Sequence, residues 1–499
     1  MLRFRMEIAT KSAGLARHAV HGAAWNFATV LAERAFGFLV LGLLLRAIPV
    51  RVVGLIAIAS AISELARMIS LSGAGEQVQA HPGDRAVEAG AFWSQCLTGL
   101  GAMALLWLAA PQLAGLYGQP ALTWVLRVMA VNIFLTAFLV VPSARLAANF
   151  RFRTLGLISL GSTLLGGVTA LPLAFSGRGI AALIDQRMVG IGFYALVVAV
   201  AARWTPPRPP SWPSLRASFR FSWPLMQAAF VDAIAVTGYV MLVGLRVPVA
   251  ELGLLRIAQR LVEVLQELAF LPARKLLLPV LVPILAALQS EPARRGEAVG
   301  QMLDMLAMGI FFVSAVCGAE ARPIVLLLFG PHWAAAAPVF AILTLMVPAA
   351  CLYGVINPLL TAAHRTRLVA YFAWANAGTV MLAAWFGAPF GLQALAWALA
   401  GQGVLGVALL LAALKLGLGR PMVPALTMLA LPCVGMLMAR LAALATLAAW
   451  PGLGLAAQLG LAGGVAAASF LLVTMLAAPA RLMGMTARLW RASLDPRSG

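Results

Sequence analysis

Within an apolar run near residues 250–284, the ionisable side chains Arg256, Arg260, Glu263 and Glu267 are spaced i, i+4, i+7 and i+11. At about 100° per residue, a helix places them on one face within roughly 60°. Arginine at such a position suits phosphate, because the guanidinium stays charged and offers a bidentate fork. Carboxylates there suit coupling to a proton or Na⁺, because burial makes their protonation depend on the surroundings. Other apolar runs carry similar groups. Asn26, Thr29 and Glu33 share a face with Arg34 beside it; Glu64 stands near Arg67, Asp185 near Arg187, and Asp232 is alone. The candidate anion-binding residues are therefore Arg34, Arg67, Arg187, Arg256 and Arg260. The candidate ion-coupling residues are Glu33, Glu64, Asp232, Glu263 and Glu267. No catalytic residue, metal site or cofactor motif is expected.

The elements that must position these groups follow from composition. Of 499 residues, 62% are hydrophobic and 10% charged, with a mean hydropathy of +0.95. A soluble chain carries about 25% charged residues, so this one has too little polar surface to enclose its core. Apolar stretches of about 20 residues, enough to cross a bilayer as helices, recur from end to end. The chain reads as an all-α polytopic membrane protein, which excludes a soluble enzyme. The net charge of +20 then points to loops beside anionic lipid rather than to nucleic acid. Cys96, Cys317, Cys351 and Cys433 lie singly in apolar segments and read as small core hydrophobes.

Apolar runs between charges, Pro and Gly give fourteen expected spans. Lys and Arg in alternate loops and the termini number 22 on one side; the other side has five, Arg46, Arg51, Arg178, Arg246 and Arg322. The positive-inside rule places both termini in the cytoplasm. The first residues, with Arg3, Arg5, Lys11 and Arg17, read as a retained amphipathic helix rather than a cleaved leader. The stretch TPPRPPSWPS at 205–214 reads as a stiff extended linker. The expected organisation is an N-terminal lobe over 1–204, a linker over 205–218, a C-terminal lobe over 219–414, and two further helices with a tail over 415–499.

A shift of 199 residues superposes the first two spans on the seventh and eighth. Pro49 meets Pro248, Gly54 meets Gly253, Glu33 meets Asp232, and Glu64 meets Glu263. The turn 179–183 is echoed at 391–395, and Pro111 with Gly118 by Pro323 with Gly330. Six spans per repeat insert both halves the same way up, as in parallel-repeat transporters. Two such lobes around a central cavity imply alternating access. On insertion scales an ionised group at mid-helix costs about 2.5–3.5 kcal/mol, so each needs a partner or a wet cavity. For one residue, an ion pair such as Arg260 with Glu263 or Glu64 with Arg67 explains as much as a ligand role. For the whole set a hydrated cavity is favoured, since packing alone is cheaper with apolar residues.

Several stretches then resemble a family. Ala148-Asn149-Phe150-Arg151-Phe152-Arg153 resembles the FRFR motif of Wzx-type polysaccharide flippases, in the group of colanic-acid and amylovoran exporters. Leu328 to Pro338, LFGPHWAAAAP, resembles their FGxxWxxAAP loop. Phe221 to Leu225 resembles FGxPL, Val247 to Gly253 the GPxxxGxY turn, and Leu288 to Pro292 an LQDDP-like loop. The chain departs from the family pattern at Gly238, where an Asp is common, at Gly75-Glu76, and at Leu255, where a tyrosine is usual. The resemblance implies the multidrug/oligosaccharidyl-lipid/polysaccharide exporter fold in a bacterial inner membrane. It also implies flipping of an undecaprenyl-pyrophosphate-linked oligosaccharide, with membrane lipids and polysaccharide assembly proteins as partners. A lipid II flippase or a multidrug/cation antiporter is the alternative within that fold. A membrane-embedded polymerase or ligase is disfavoured by the short outward loops, and a scaffold by the buried charges.

Overall fold

The computed structural model describes residues 29, 31–70, 73–267, 307–353, 366–418, 422–450, 452 and 454–477. Among them every regular element is helical. The order is α1 (31–47), α2 (Val50–Ser70), α3 (Ala74–Ala80), α4 (Arg85–Leu116), α5 (Ala121–Ala148), α6 (Phe152–Phe175) and α7 (Gly179–Ala201). Then come α8 (Trp212–Ala233), a π turn at Ile234–Gly238, α9 (Tyr239–Gly244) and α10 (249–267). The remainder are α11 (307–319), α12 (Ala321–Phe329), α13 (Ala336–Leu343), α14 (347–353), α15 (Thr366–Gly387), α16 (Leu392–Leu418), α17 (Met422–Ala449) and α18 (Leu455–Ala477). Among the described residues nine helices are long and apolar enough to cross a membrane, or up to 11 if each of two bent pairs counts as one span. Parts of the expected eighth, ninth and tenth spans, the N-terminal segment and the C-terminal tail lie outside the described residues.

Two compact units form, Met1–Gly253 and Leu254–Gly499. In the first, α8 lies against α4 and α2, so residues after the Pro-rich linker pack with those before it. The packing boundary follows α9, whereas the repeat boundary read from the sequence lies at 205–218; the two divide the chain by different criteria.

The first unit buries many alanines beside its larger core residues and turns other large apolar side chains outward. Ala59, Ala91, Ala110, Ala130 and Ala137 are fully buried, while Leu108 is 71% and Val200 70% exposed. This suits lipid, where helices associate by close backbone packing rather than by hiding leucine from water. A Cβ on Gly99 would lie 2.4 Å from that of Ala137, and one on Gly166 would lie 2.3 Å from the Gln186 carbonyl oxygen. The tightest approach joins positions related by the 199-residue repeat. A Cβ on Gly54 would lie 1.8 Å from the Val249 carbonyl oxygen, and one on Gly253 would lie 2.3 Å from that of Val50. Each glycine thus faces the backbone next to its counterpart.

Four helices of this unit end in the same left-handed turn. After α5, Phe150 N–H donates to Ala147 O and Arg151 N–H to Leu146 O. After α7, Arg203 N–H donates to Val200 O and Trp204 N–H to Ala199 O. The same paired bonds close α4 at Gly118 and α6 at Gly177. This is the Schellman arrangement, which needs positive φ and favours glycine. Gly118 and Gly177 have φ of 60° and 80°, but Phe150 and Arg203 hold 55° and 47° with side chains. The FRFR stretch is therefore first a helix connector, and Arg151 Nη1 also donates to Ala201 O at 2.9 Å, closing the end of α7.

In the second unit Ala315, Ala439, Ala443, Ala462 and Ala466 line the contact of α11 with α17 and α18, with Phe312 and Phe470 edge to face at 5.5 Å. Two expected outlines change. The sequence predicts span two over 52–75, but α2 covers Val50–Ser70 and α3 begins anew after Gly73, whose φ of 72° no continuing helix accommodates. The stretch around Arg322, read as an outward loop, instead forms α12, bent 68° from α11. Its end is set by Gly330, with φ of 94°, and by Trp333, fully buried just beyond. The FGPHW motif thus turns the chain and anchors it.

Candidate functional site

The face anticipated on α10 forms around one carboxylate. Arg256 Nη1 donates to Glu263 Oε1 at 2.9 Å, and Arg260 Nη1 donates to Oε2 at 2.8 Å. Side-chain exposures are 37% for Arg256, 35% for Arg260 and 36% for Glu263. Two guanidiniums share one carboxylate, so these three groups together carry a net positive charge, and among the described residues each arginine is seen to donate through Nη1 alone. Such a cluster is chemically fit to receive a phosphate oxygen. Glu267, one turn further, is partly buried.

On α2 the same carboxylate position is differently partnered. Arg67 Nε donates to Glu64 Oε2 at 2.9 Å, and its Nη2 donates to Oε1. One arginine and one carboxylate close fork to fork, neutral and about one third exposed. Here the spacing is i, i+3 with arginine C-terminal; on α10 both arginines precede the acid.

The remaining candidates lie on α1, α7 and α8. Arg187, exposed on α7, donates to Ser60 Oγ at 3.4 Å and approaches Met129 Sδ at 3.9 Å. Ser63 Oγ meets the same sulfur at 3.3 Å. Asp185, two residues before Arg187, has a buried Oδ2 without a hydrogen-bond partner. Glu33 is partly buried and Arg34 exposed on α1. Asp232 lies two residues before the π turn that follows α8, a feature frequent at functional sites; its side chain lies outside the described residues.

One buried polar cluster escaped the sequence reading. Arg440 of α17 donates through Nη1 to Ala341 O at 3.0 Å and through Nη2 to Ser314 O at 3.3 Å and to Thr344 Oγ1. Its guanidinium lies where a Cβ on Gly318 would stand, at 2.2 Å. Nearby Glu320 is 2% exposed, neither carboxylate oxygen has a hydrogen-bond partner, and it packs beside Gly463 of α18. Arg440 is the one charged residue in the 28 residues of α17. The rule that flagged Arg256, that a charge inside an apolar span needs a reason, was enough to find it. Its three carbonyl and hydroxyl acceptors make it a clamp fixing α17 to α11 and α13.

Among the described residues no three His, Cys, Asp or Glu gather as a metal site. The comparisons with known proteins bear on the same elements. The chain is 26% identical over 330 residues to the succinoglycan biosynthesis transport protein ExoT of Rhizobium meliloti strain 1021, covering 64% of each chain. It is 22% identical over 317 residues to the teichuronic acid biosynthesis protein TuaB of Bacillus subtilis strain 168, covering 59% of this chain and 63% of that one. The chain thus spans a little under two thirds of the length of these curated relatives. Its fold matches the solved inward closed structure of the lipid II flippase MurJ, with a TM-score of 0.69 at 12% identity, over 90% of this chain and 98% of that one. A model of the polysaccharide biosynthesis protein family matches residues 43–338, more than half of the sequence and every helix from α2 to α12. This chain, a multi-pass helical membrane protein, therefore belongs to the polysaccharide biosynthesis protein family.

Proposed function

We propose that the protein is a flippase that moves an undecaprenyl-pyrophosphate-linked oligosaccharide across the bacterial inner membrane by alternating access. The observation that carries this reading is the Arg256–Glu263–Arg260 cluster, net positive and one third exposed, on a span of a family-matched membrane fold. In a bilayer, an uncompensated guanidinium is expensive unless it serves an anion or a wet path. Arg34, Arg67 and Arg187 are proposed to complete the anion path. Glu33, Glu64, Asp232, Glu263 and Glu267 are proposed as coupling acids, and of these Glu64 and Glu263 must release an arginine to take up a proton or Na⁺. The names of the two relatives, a succinoglycan transport protein and a teichuronic acid biosynthesis protein, favour an extracellular polysaccharide as the end product. The chain itself carries out transport rather than bond formation, with polysaccharide assembly proteins as partners and both termini in the cytoplasm.

Purified protein in liposomes with a fluorescent lipid-linked oligosaccharide tests the reading. Flipping above protein-free vesicles is expected, and Arg260→Ala should slow it at least tenfold with unchanged folding. Equal flipping by Arg260→Ala removes the anion role; no flipping by the native protein of any lipid-linked oligosaccharide removes the function. Reporter fusions at Arg178 and Gly499 should fall on opposite sides, and a shared side removes the topology. A second reading, a lipid II flippase, is favoured by the match to MurJ, and lipid II in the same assay decides between them.

A further inference from the structure

We infer that a basic pocket at the linker end of the first unit binds a ligand carrying two phosphate groups. The pocket, about 1080 Å³, opens where four segments meet: the first turn of α4, the last turn of α5, the turn after α7 and the Pro-rich linker. Each segment contributes one arginine, Arg85, Arg145, Arg203 and Arg208, and Glu88 is the single acid of the lining. All four arginines are exposed, and among the described residues none of their guanidiniums makes an ion pair or hydrogen bond with the protein. The lining therefore carries an excess of three positive charges that the protein does not neutralise.

Basic residues on this side are already expected from membrane topology, so the question is whether they are scattered or assembled. The frame around them is built. Trp93 Nε1 donates to Pro207 O at 3.1 Å, and Ser214 Oγ donates to Ala86 O at 3.3 Å. These bonds fasten the stiff linker and the first turn of α8 onto α4. Trp204, in the pocket lining, packs its ring on Phe92 with centroids 5.4 Å apart, and its buried Nε1 has no partner. Arg203 itself holds φ at 47° in a turn where α4 and α6 use glycine. A side chain kept in a left-handed conformation is strained by an amount that glycine would remove. Placing an arginine there positions a guanidinium over the pocket at the expense of local stability.

The chemistry of the ligand follows. Guanidinium forks match phosphate oxygens two at a time, and an excess of three charges suits two phosphates rather than one carboxylate. Basic pockets between spans at the cytoplasmic surface take headgroups of this kind. The two phosphate groups come from one of two sources, the paired phosphodiesters of a cardiolipin headgroup or free pyrophosphate. The pocket shares no residue with the α10 cluster, and the inference rests on the proposed orientation only for which leaflet supplies a lipid.

Full-length protein in phosphatidylcholine nanodiscs, with and without cardiolipin, tests this by native mass spectrometry; equilibrium dialysis against inorganic pyrophosphate is the second arm. The native protein should bind one probe, and Arg85→Gln with Arg208→Gln should weaken that binding at least tenfold. Glu88→Gln should tighten it severalfold, a gain that a misfolded variant does not produce. Loss confined to the cardiolipin arm assigns a lipid headgroup, and loss confined to the pyrophosphate arm assigns a free anion. If native protein, double variant and Glu88→Gln are indistinguishable in both arms, the inference is overturned. Neither arm involves transport, so its failure leaves the flippase reading intact, and failure of flipping leaves this result standing.

Discussion

Glu64 on α2 and Glu263 on α10 occupy one position of a repeated element, yet their surroundings differ. Glu64 closes on a single arginine through two hydrogen bonds, and the pair is electrically complete. Glu263 divides its two oxygens between Arg256 and Arg260, and the cluster remains positive. Both groups are about one third exposed, which limits what either ion pair adds to stability, since exposed pairs contribute about 0–1 kcal/mol. What separates them is spare donor capacity. A duplicated acid thus became a neutral lock in one unit and a charged receiving surface in the other.

The largest effect should come from the glycines beside these acids along the two helices. Gly54→Leu should abolish folded protein, read as loss of the monodisperse peak in detergent, because its Cβ has backbone 1.8 Å away that cannot rotate aside. Normal yield and thermal midpoint for that variant would show that the repeat-related crossing is not tight. Next, the contrast of donor capacity predicts unequal transport defects. Arg256→Ala and Arg260→Ala should each lower flipping by about 10- to 100-fold, equivalent to about 1.4–2.8 kcal/mol. Arg67→Ala should lower it by about threefold or less, since it removes half of a closed pair. Equal losses at the two sites would erase the distinction.

Neutralising the acids sharpens the same point with a smaller effect. Glu263→Gln frees both arginines and should tighten pyrophosphate binding to detergent-purified protein severalfold, measured by dialysis. Glu64→Gln should change it less than twofold. The smallest effect should come from a contact between the end of α4 and α9. Tyr117, at the end of α4, donates to Met241 O at 3.0 Å, and burial pushes its phenol up to about 12, so it stays a donor at physiological pH. Tyr117→Phe should cost about 0.6 kcal/mol, typical of a hydrogen bond between membrane helices, seen as a small drop in thermal midpoint and unchanged transport.

The chemistry legible in the sequence was that governed by helical periodicity. The one-sided face of Arg256, Arg260 and Glu263 follows from spacing alone, as does the closeness of Glu64 and Arg67. The Phe150 turn was visible as a motif but not as strain, because a left-handed Phe has no local marker. Arg440 was overlooked beside more conspicuous clusters, and Glu320 because its flanks read as a loop. Only packing shows that Ala341, Ser314 and Thr344 converge on Arg440.

By itself the sequence determined the all-helical membrane class, since 62% hydrophobic residues with 10% charged leave no soluble solution, and the backbone must satisfy its own hydrogen bonds in lipid. It also determined the repeat and the residues carried on each helical face, because both depend on intervals along the chain. Tertiary structure alone decided which guanidiniums are spent and which remain available. That depends on acceptors from other segments, as with Arg440, or on their lack among the described residues, as with Arg85, Arg145, Arg203 and Arg208. Partners brought together from distant positions in the chain follow no sequence period, so only the folded arrangement specifies them.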